Sequence, residues 1–142
     1  GTGLMVAQFY IADITAANTT KVTVSSTNTA NVILPVNAVI TSINITATTS
    51  TGGTSPTIDM GFTLYTTGTT SGQALLNEQP SDAKATATLS TSTKGTSLGA
   101  VMSSSELVYL TGGVGASAAS SGTVTGFITY FVVDPNGGQQ VV

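Results

Sequence analysis

Hydrophobic and polar residues alternate with a period of two along most of the chain, which is the pattern of a half-buried β-strand. The strongest segments are residues 39–49, 57–64, 84–89 and 123–133. In the second of these, every even position is apolar and every odd position is polar or glycine. Weaker segments of the same kind are 5–11, 21–25, 31–34, 74–77, 97–102 and 107–111. The pattern therefore predicts nine or ten short strands.

Turn signals separate these segments at intervals of roughly 8–12 residues, a spacing typical of antiparallel sandwiches and barrels. Clusters of Gly, Pro, Asn and Ser mark them, at residues 35–38, 51–56, 66–72, 93–95 and 111–113. One short helical turn is expected around residues 75–79, and no longer helical period is present. The fold class predicted is an all-β, antiparallel, two-sheet sandwich that is jelly-roll-like.

The composition divides the chain into three parts. Residues 1–30 are predicted to be an N-terminal arm with the first strands, and a candidate attachment segment. Residues 31–134 are predicted to form the β-sandwich domain. Residues 135–142 begin with Pro and contain Gly137-Gly138, which predicts a flexible C-terminal tail.

Charged residues are rare: three Lys and six Asp or Glu make up 6% of the chain, against about 25% in an ordinary domain. The absence of Cys and His excludes disulfides, thiol nucleophiles and histidine-based acid–base catalysis. Three cations and a net charge of −3 cannot neutralise a phosphate backbone, so no nucleic-acid partner is expected. No apolar run approaches the length of a membrane span, and none fits the hydrophobic core of a signal peptide.

Three short motifs match catalytic or cofactor signatures without their context. Residues 95–99 (GTSLG) match the G-x-S-x-G elbow, which requires a strand–turn–helix setting and a histidine base. Residues 81–84 (SDAK) match S-x-x-K, which acts on a buried helix. Residues 113–118 (GVGASA) loosely match a dinucleotide fingerprint but lack its βαβ unit. We interpret all three as turns and expect no enzyme activity.

The carboxylates are spread along the chain, at Asp13, Asp59, Glu78, Asp82, Glu106 and Asp134. A glycosidase needs two of them facing each other about 5–10 Å apart, and this chain has no Trp to support a sugar. Glu78 with Asp82, or Asp134 with Asn136, offers oxygen ligands for calcium, but neither pair has the spacing of a known calcium loop. We expect no cofactor and no metal site.

The scarcity of charge has a second implication. Monomers keep apart by surface charge, and exposed strand edges are commonly blunted by Lys or Pro. This chain uses neither in quantity, and 44 of its 142 residues are Thr or Ser. Such a composition is typical of a subunit whose faces or edges are covered by neighbours in an assembly.

Several stretches of strand and turn residues have an arrangement found elsewhere. Residues 34–40 follow the strand entry LP-x-x-A-x-I, and residues 48–61 follow the hairpin pattern T-x-x-T-x-G-x-x-P-T-x-D-x-G. The same arrangement of strand and turn continues through residues 99–113 and 122–134. Over residues 31–134 the chain therefore resembles the β-rich virion structural proteins of tailed bacteriophages.

The resemblance implies a non-enzymatic virion structural protein, of which capsid decoration (cement) proteins and tail or fibre components are examples. A decoration protein on the capsid surface is the expected function. It would stabilise the phage head by binding between shell subunits, with the major capsid protein or other virion proteins as partners. The resemblance also implies a homo-oligomer, with a trimer at local three-fold positions as one form.

We expect the contacts to lie at the two termini and on an outer aromatic face. The residues selected are Leu4, Val6, Phe9, Ile11, Phe127, Phe131, Val141 and Val142. The aromatic residues on strand patterns are otherwise interpreted as core or interface packing.

Two other functions remain open. One is a self-assembling extracellular fibre or pilus-like subunit joined by strand addition, with residues 4–11 as the donated strand. Its location would be an extracellular filament. The other is a tail-associated or cell-surface carbohydrate-binding module, which predicts a solvent-exposed cluster of aromatic side chains.

Overall fold

Eight strands form in the part of the chain that the structure, a computed structural model, describes, namely residues 3–134. They are β1 (Met5–Ile11), β2 (Ile33–Leu34), β3 (Ala38–Thr48), β4 (Thr57–Leu64), β5 (Thr70–Pro80), β6 (Ala85–Ala87), β7 (Val108–Val114) and β8 (Val124–Val132). No helix forms within these residues. Thr, Val and Ile are frequent in the strands because β-branched side chains suit a pleated surface.

The strand order identifies the sandwich as a jelly roll. The first sheet has the order β1-β8-β3-β6 and the second sheet the order β2-β7-β4-β5. Strand β1 therefore pairs with β8, β2 with β7, β3 with β6 and β4 with β5, all antiparallel. This is a long hairpin wrapped into two sheets, the eight-stranded jelly-roll topology. The predicted all-β two-sheet sandwich is confirmed, whereas the prediction of nine or ten strands is wrong, since eight form.

The core lies between the two sheets, and every strand contributes apolar side chains to it. Burying each large side chain contributes about 1.5–3 kcal/mol relative to leaving it in water. The largest fully buried side chains on strands are Phe9, Leu34, Ile40, Ile43, Ile58, Met60, Leu75, Leu76, Leu110 and Ile128.

Strand β4 is buried on both faces, although its alternating sequence predicts one solvated face. The connection between β1 and β2 crosses the outer face of the second sheet. Its backbone carbonyls accept hydrogen bonds along the edge of β7, from Gly112 N to Thr20 O (3.0 Å) and from Val114 N to Ala16 O (2.8 Å). From there its Asn18 side chain reaches over the outer face to the Asp59 carboxylate of β4, at 2.9 Å. The polar positions of β4 that alternate with the core residues are therefore covered, and Asp59 is only 3% exposed.

Two predicted strands do not form. Residues 21–25 make only isolated bridges to three different segments, so no continuous ladder develops. Residues 97–102 turn at Gly99, whose φ of 83° is left-handed rather than extended. The helical turn predicted around residues 75–79 is also wrong, because these residues lie within β5.

Residues 3–30 contribute to the same sandwich as the rest of the described chain. Strand β1 is a full member of the first sheet. In the connection that follows it, Ile14 and Val22 are buried in the common core. The predicted C-terminal tail at residues 135–142 lies outside the described residues.

Candidate interaction face

The four strands of the first sheet contain no charged residue. Within the strands of the second sheet there are two, Asp59 in β4 and Glu78 in β5. The first sheet therefore presents an outer face built only from apolar, hydroxyl and amide side chains.

The contact residues predicted on β1 separate to opposite sides of this sheet. Leu4 and Val6 are 68% and 65% exposed, whereas Phe9 and Ile11 are 0% and 2% exposed and pack in the core. The separation follows from strand geometry, since successive side chains point to opposite faces. The predicted contacts Val141 and Val142 lie outside the described residues.

The predicted aromatic residues of β8 join Leu4 and Val6 on the outer face. Val6 is paired with Thr129, so Phe127 and Phe131 are its two diagonal neighbours, within reach of an aromatic side chain. Both phenylalanines are half-buried. We call these residues the outer patch: Leu4, Val6, Phe127 and Phe131.

Neutral hydrogen-bonding groups lie within the outer patch and beside it. The hydroxyl of Thr129 lies 3.0 Å from that of Thr41 and also bonds Ser42. Farther along the sheet, Thr86 donates to the side-chain oxygen of Asn44 at 2.9 Å. These groups satisfy one another without any charge. Charged residues are depleted at the cores of protein–protein interfaces, as they are on this face.

The edges of the two sheets differ in how far they are covered. The free edge of β5 is covered by a following segment, with hydrogen bonds from Asn77 N to Thr93 O (2.8 Å) and from Gly95 N to Leu75 O (3.0 Å). Strands β2 and β6 are edges of two and three residues. Strand β1 is the long edge, and on its outer side only Tyr10 has a backbone partner among the described residues.

A buried polar cluster lies on the outer side of β4. The Asp59 carboxylate accepts hydrogen bonds from the Asn18 side-chain amide and from the Glu78 backbone N–H, each 2.9 Å long. Burial raises the pKa of Asp59, these two hydrogen bonds oppose the rise, and the neighbouring Glu78 carboxyl adds to it. Glu78 itself accepts a hydrogen bond of 2.8 Å from Ala116 N–H. Through Asn18 the cluster holds the β1–β2 connection against the second sheet. Through Ala116 it also holds the loop that follows β7.

The other shifted carboxyls belong to turns. Hydrogen bonds from the Thr15 hydroxyl and N–H lower the pKa of Asp13. The backbone N–H of Thr67, and then that of Thr66, lowers the pKa of Glu106. These contacts stabilise the ionised form in the fold, as expected for acceptors that hold a turn.

A cluster of tyrosines forms on the second sheet, and the sequence pattern does not predict it. The rings of Tyr65 and Tyr109 are stacked with centroids 4.9 Å apart and planes 18° from parallel. The Lys21 ammonium lies 4.1 Å from the centroid of the Tyr109 ring. Tyr65 is 47% exposed. The strands β4 and β7 bring these residues together, so their proximity depends on the sheet topology.

The candidate catalytic serines lie in structural positions. Ser97 N donates to Ala74 O at 2.7 Å, so the GTSLG motif belongs to the segment that covers β5. Ser81 is 0% exposed and its hydroxyl lies 3.2 Å from that of Ser50. A cleft of about 430 Å³ beside the covering segment is lined by neutral polar side chains and Lys94.

Within residues 3–134 no three His, Cys, Asp or Glu residues are grouped as metal ligands would be. The candidate calcium ligand Glu78 is engaged by Ala116, and Asp82 is exposed. Asn136 lies outside the described residues. The described residues also contain no helix long and apolar enough to cross a membrane.

Comparison of the chain with protein families, curated proteins and solved structures finds no match.

Proposed function

We propose that the protein is a non-enzymatic virion structural protein that decorates a phage capsid and binds between shell subunits. The observation that carries the proposal is the uncharged first sheet with the outer patch on its β1 and β8 strands. An exposed apolar group among uncharged polar neighbours is suited to permanent burial against another protein. The resemblance to virion structural proteins supplies the identity of that partner.

The protein would stabilise the shell by burying apolar surface against it, without a chemical reaction. Each Å² of apolar surface that leaves water contributes about 25 cal/mol. A ligand that binds only the assembled shell stabilises it by mass action. Since the first sheet has no charge in its strands, its attachment should depend weakly on ionic strength, because screening acts on charged groups.

The fold is compatible with this function but does not select it. Jelly rolls serve in viral capsids, lectins and cupins alike. Support for capsid decoration therefore comes from the outer patch and the family resemblance, not from the jelly roll.

The proposal is tested by substituting Phe127 with lysine. A lysine buried unpaired at an interface costs several kcal/mol. We expect Phe127→Lys to weaken binding to shells of the same virus's major capsid protein by about 30-fold or more. The measurement is co-sedimentation with shells over a range of protein concentrations, repeated at low and high salt.

The matched control is Ile33→Lys, an apolar residue 42% exposed on the other sheet. This variant should bind shells as the unsubstituted protein does. Equal loss of binding in both variants, or no binding by the unsubstituted protein, would contradict the proposal.

A carbohydrate-binding module is the second candidate, and the stacked Tyr65–Tyr109 pair favours it. A sugar ring presents a face of C–H groups that packs on an aromatic ring, and Tyr65 leaves nearly half of its surface open. We expect Tyr65→Ala to abolish any binding seen on a glycan array, while Tyr10→Ala leaves it intact. An array without binding, or equal binding by both variants, would remove this candidate.

Strand donation in a fibre receives less support. The donated segment would include Phe9 and Ile11, which fill the core of their own chain. Donation would therefore need a second chain to replace both side chains in every subunit.

A further inference from the structure

The open edge of β1 has a defined hydrogen-bonding pattern. Tyr10 N donates to Thr23 O at 2.7 Å, and Thr23 N donates to Tyr10 O at 3.1 Å. The two backbone groups of Tyr10 therefore both point away from β8. Since these directions alternate along an antiparallel strand, the backbone groups of Gln8, Val6 and Leu4 point outward as well.

This edge lacks the usual protections against pairing. It has no Lys and no Pro, and the β1–β8 register runs without a bulge from Met5 to Ile11. The outward backbone groups at residues 4–8 have no hydrogen-bonding partner among the described residues. Such an edge is a template for another strand.

We propose that the partner is a second copy of this chain, whose β1 pairs antiparallel with the first about a two-fold axis at Val6. In this register Val6 faces Val6 of the other copy, and Leu4 faces Gln8. These are the residues with outward backbone groups, so each pair can exchange both N–H···O bonds. The register ends at Gln8 because Tyr10 is already occupied by Thr23.

Three features favour a second copy over a different chain. A two-fold axis makes any antiparallel edge self-complementary. Pairing two identical strands brings like charges close together, which is unfavourable. Strand β1 has no charged residue, so self-pairing carries no such repulsion. The outward side chains Leu4 and Val6 are each about two-thirds exposed. In the dimer Val6 would pack beside Val6 of the other copy, and Leu4 beside the side chain of Gln8. Pairing of this kind closes at two copies, so it does not build the trimer implied by the family resemblance.

The dimer would contain a continuous sheet made from the first sheets of both copies. A two-fold axis through an antiparallel strand pair is perpendicular to the sheet, so both outer patches lie on the same side. The pairing does not rest on the proposed function. If both hold, each dimer presents two attachment patches in one plane, which raises avidity without a new contact.

The test uses charge at the position expected to face itself. In sedimentation velocity over a concentration series, the unsubstituted protein should form a dimer. Val6→Lys and Val6→Glu should each be monomeric, because like charges directly opposite destabilise a strand pair. An equimolar mixture of the two variants should recover the dimer. Circular dichroism and melting temperature provide the folding control.

A second pair of variants tests the register. It also keeps the inference testable if substitutions at position 6 prevent folding. Leu4→Lys mixed with Gln8→Glu should dimerise more tightly than either variant alone. Amide hydrogen exchange of the unsubstituted protein should show slow exchange at Val6 and Gln8 in the dimer. A monomeric or trimeric unsubstituted protein, dimers of Val6→Lys alone, or a mixture that stays monomeric would each overturn the inference. The proposed function is tested on a different residue, Phe127, which lies on β8 and not at the open edge. Phe127→Lys should remain dimeric, so loss of the dimer and loss of shell binding are scored on separate variants.

Discussion

Replacing Phe9 by alanine is expected to lower the free energy of unfolding by about 3–5 kcal/mol. The ring is fully buried in the core and contacts the backbone of Gly126 on the neighbouring strand, where an added Cβ would lie 2.7 Å from the ring atom Cζ. No smaller side chain at position 9 fills that space, so a cavity adds to the lost burial. Urea denaturation followed by circular dichroism measures the change.

The control is Gln8→Ala, the exposed neighbour on the opposite face of β1. It should change the free energy of unfolding by no more than about 0.5 kcal/mol. If the two variants were equally stable, β1 would be a detachable arm rather than a core strand, and the fibre alternative would gain support.

Replacing Asp59 is expected to have the second large effect on the free energy of unfolding, and the size of the loss depends on the replacement. Asp59→Ala leaves the Asn18 amide and the Glu78 N–H, both part-buried, without their acceptor. A buried unsatisfied group costs about 1–3 kcal/mol. Since these two groups are part-buried, we expect a combined loss of about 2–4 kcal/mol. Asp59→Asn can retain both contacts, because its oxygen accepts from Glu78 and the Asn18 amide can turn to offer its own oxygen.

The same residue gives a pH dependence with a definite sign. Because the pKa of Asp59 is raised in the fold, the folded state holds this proton more tightly than the unfolded chain. Its contribution to stability is therefore full below the unfolded pKa and is lost as the pH rises through the folded pKa. Asp59→Asn carries no such proton, so its stability relative to the unsubstituted protein should improve as the pH rises from about 3 to 7.

The measurement is chemical denaturation of both proteins across this range of pH. Asp13 and Glu106, whose pKa values are lowered, contribute a pH dependence of the opposite sign. Both residues are present in both proteins, so their contributions cancel in the stability difference between Asp59→Asn and the unsubstituted protein. A difference that does not change with pH would contradict the assignment of Asp59 as the raised carboxyl.

Period-two alternation predicted strands where one side of the segment faces the core. Strand β1 matches its predicted segment residue for residue, and β3 and β8 differ from theirs only at the ends. The same rule failed at residues 97–102, where Leu98 is buried but Gly99 turns the chain. It also could not show that β4 is covered on both faces, because the covering segment lies far away in sequence.

The positions of the predicted contact residues could likewise be predicted only in part from the sequence. Alternation alone would have separated Val6 from Phe9, since they differ in parity along one strand. That Val6 lies between Phe127 and Phe131 depends on the β1–β8 register, which no local pattern encodes. The Asp59 cluster and the Tyr65–Tyr109 pair likewise join residues about 40 positions apart.

The proposed attachment through the uncharged first sheet is tested most directly by cryo-electron microscopy of shells mixed with the protein. The account predicts additional density of jelly-roll shape on the shell, with the outer patch at Leu4, Val6, Phe127 and Phe131 facing the capsid subunits. Undecorated shells, or density attached through the second sheet, would contradict it.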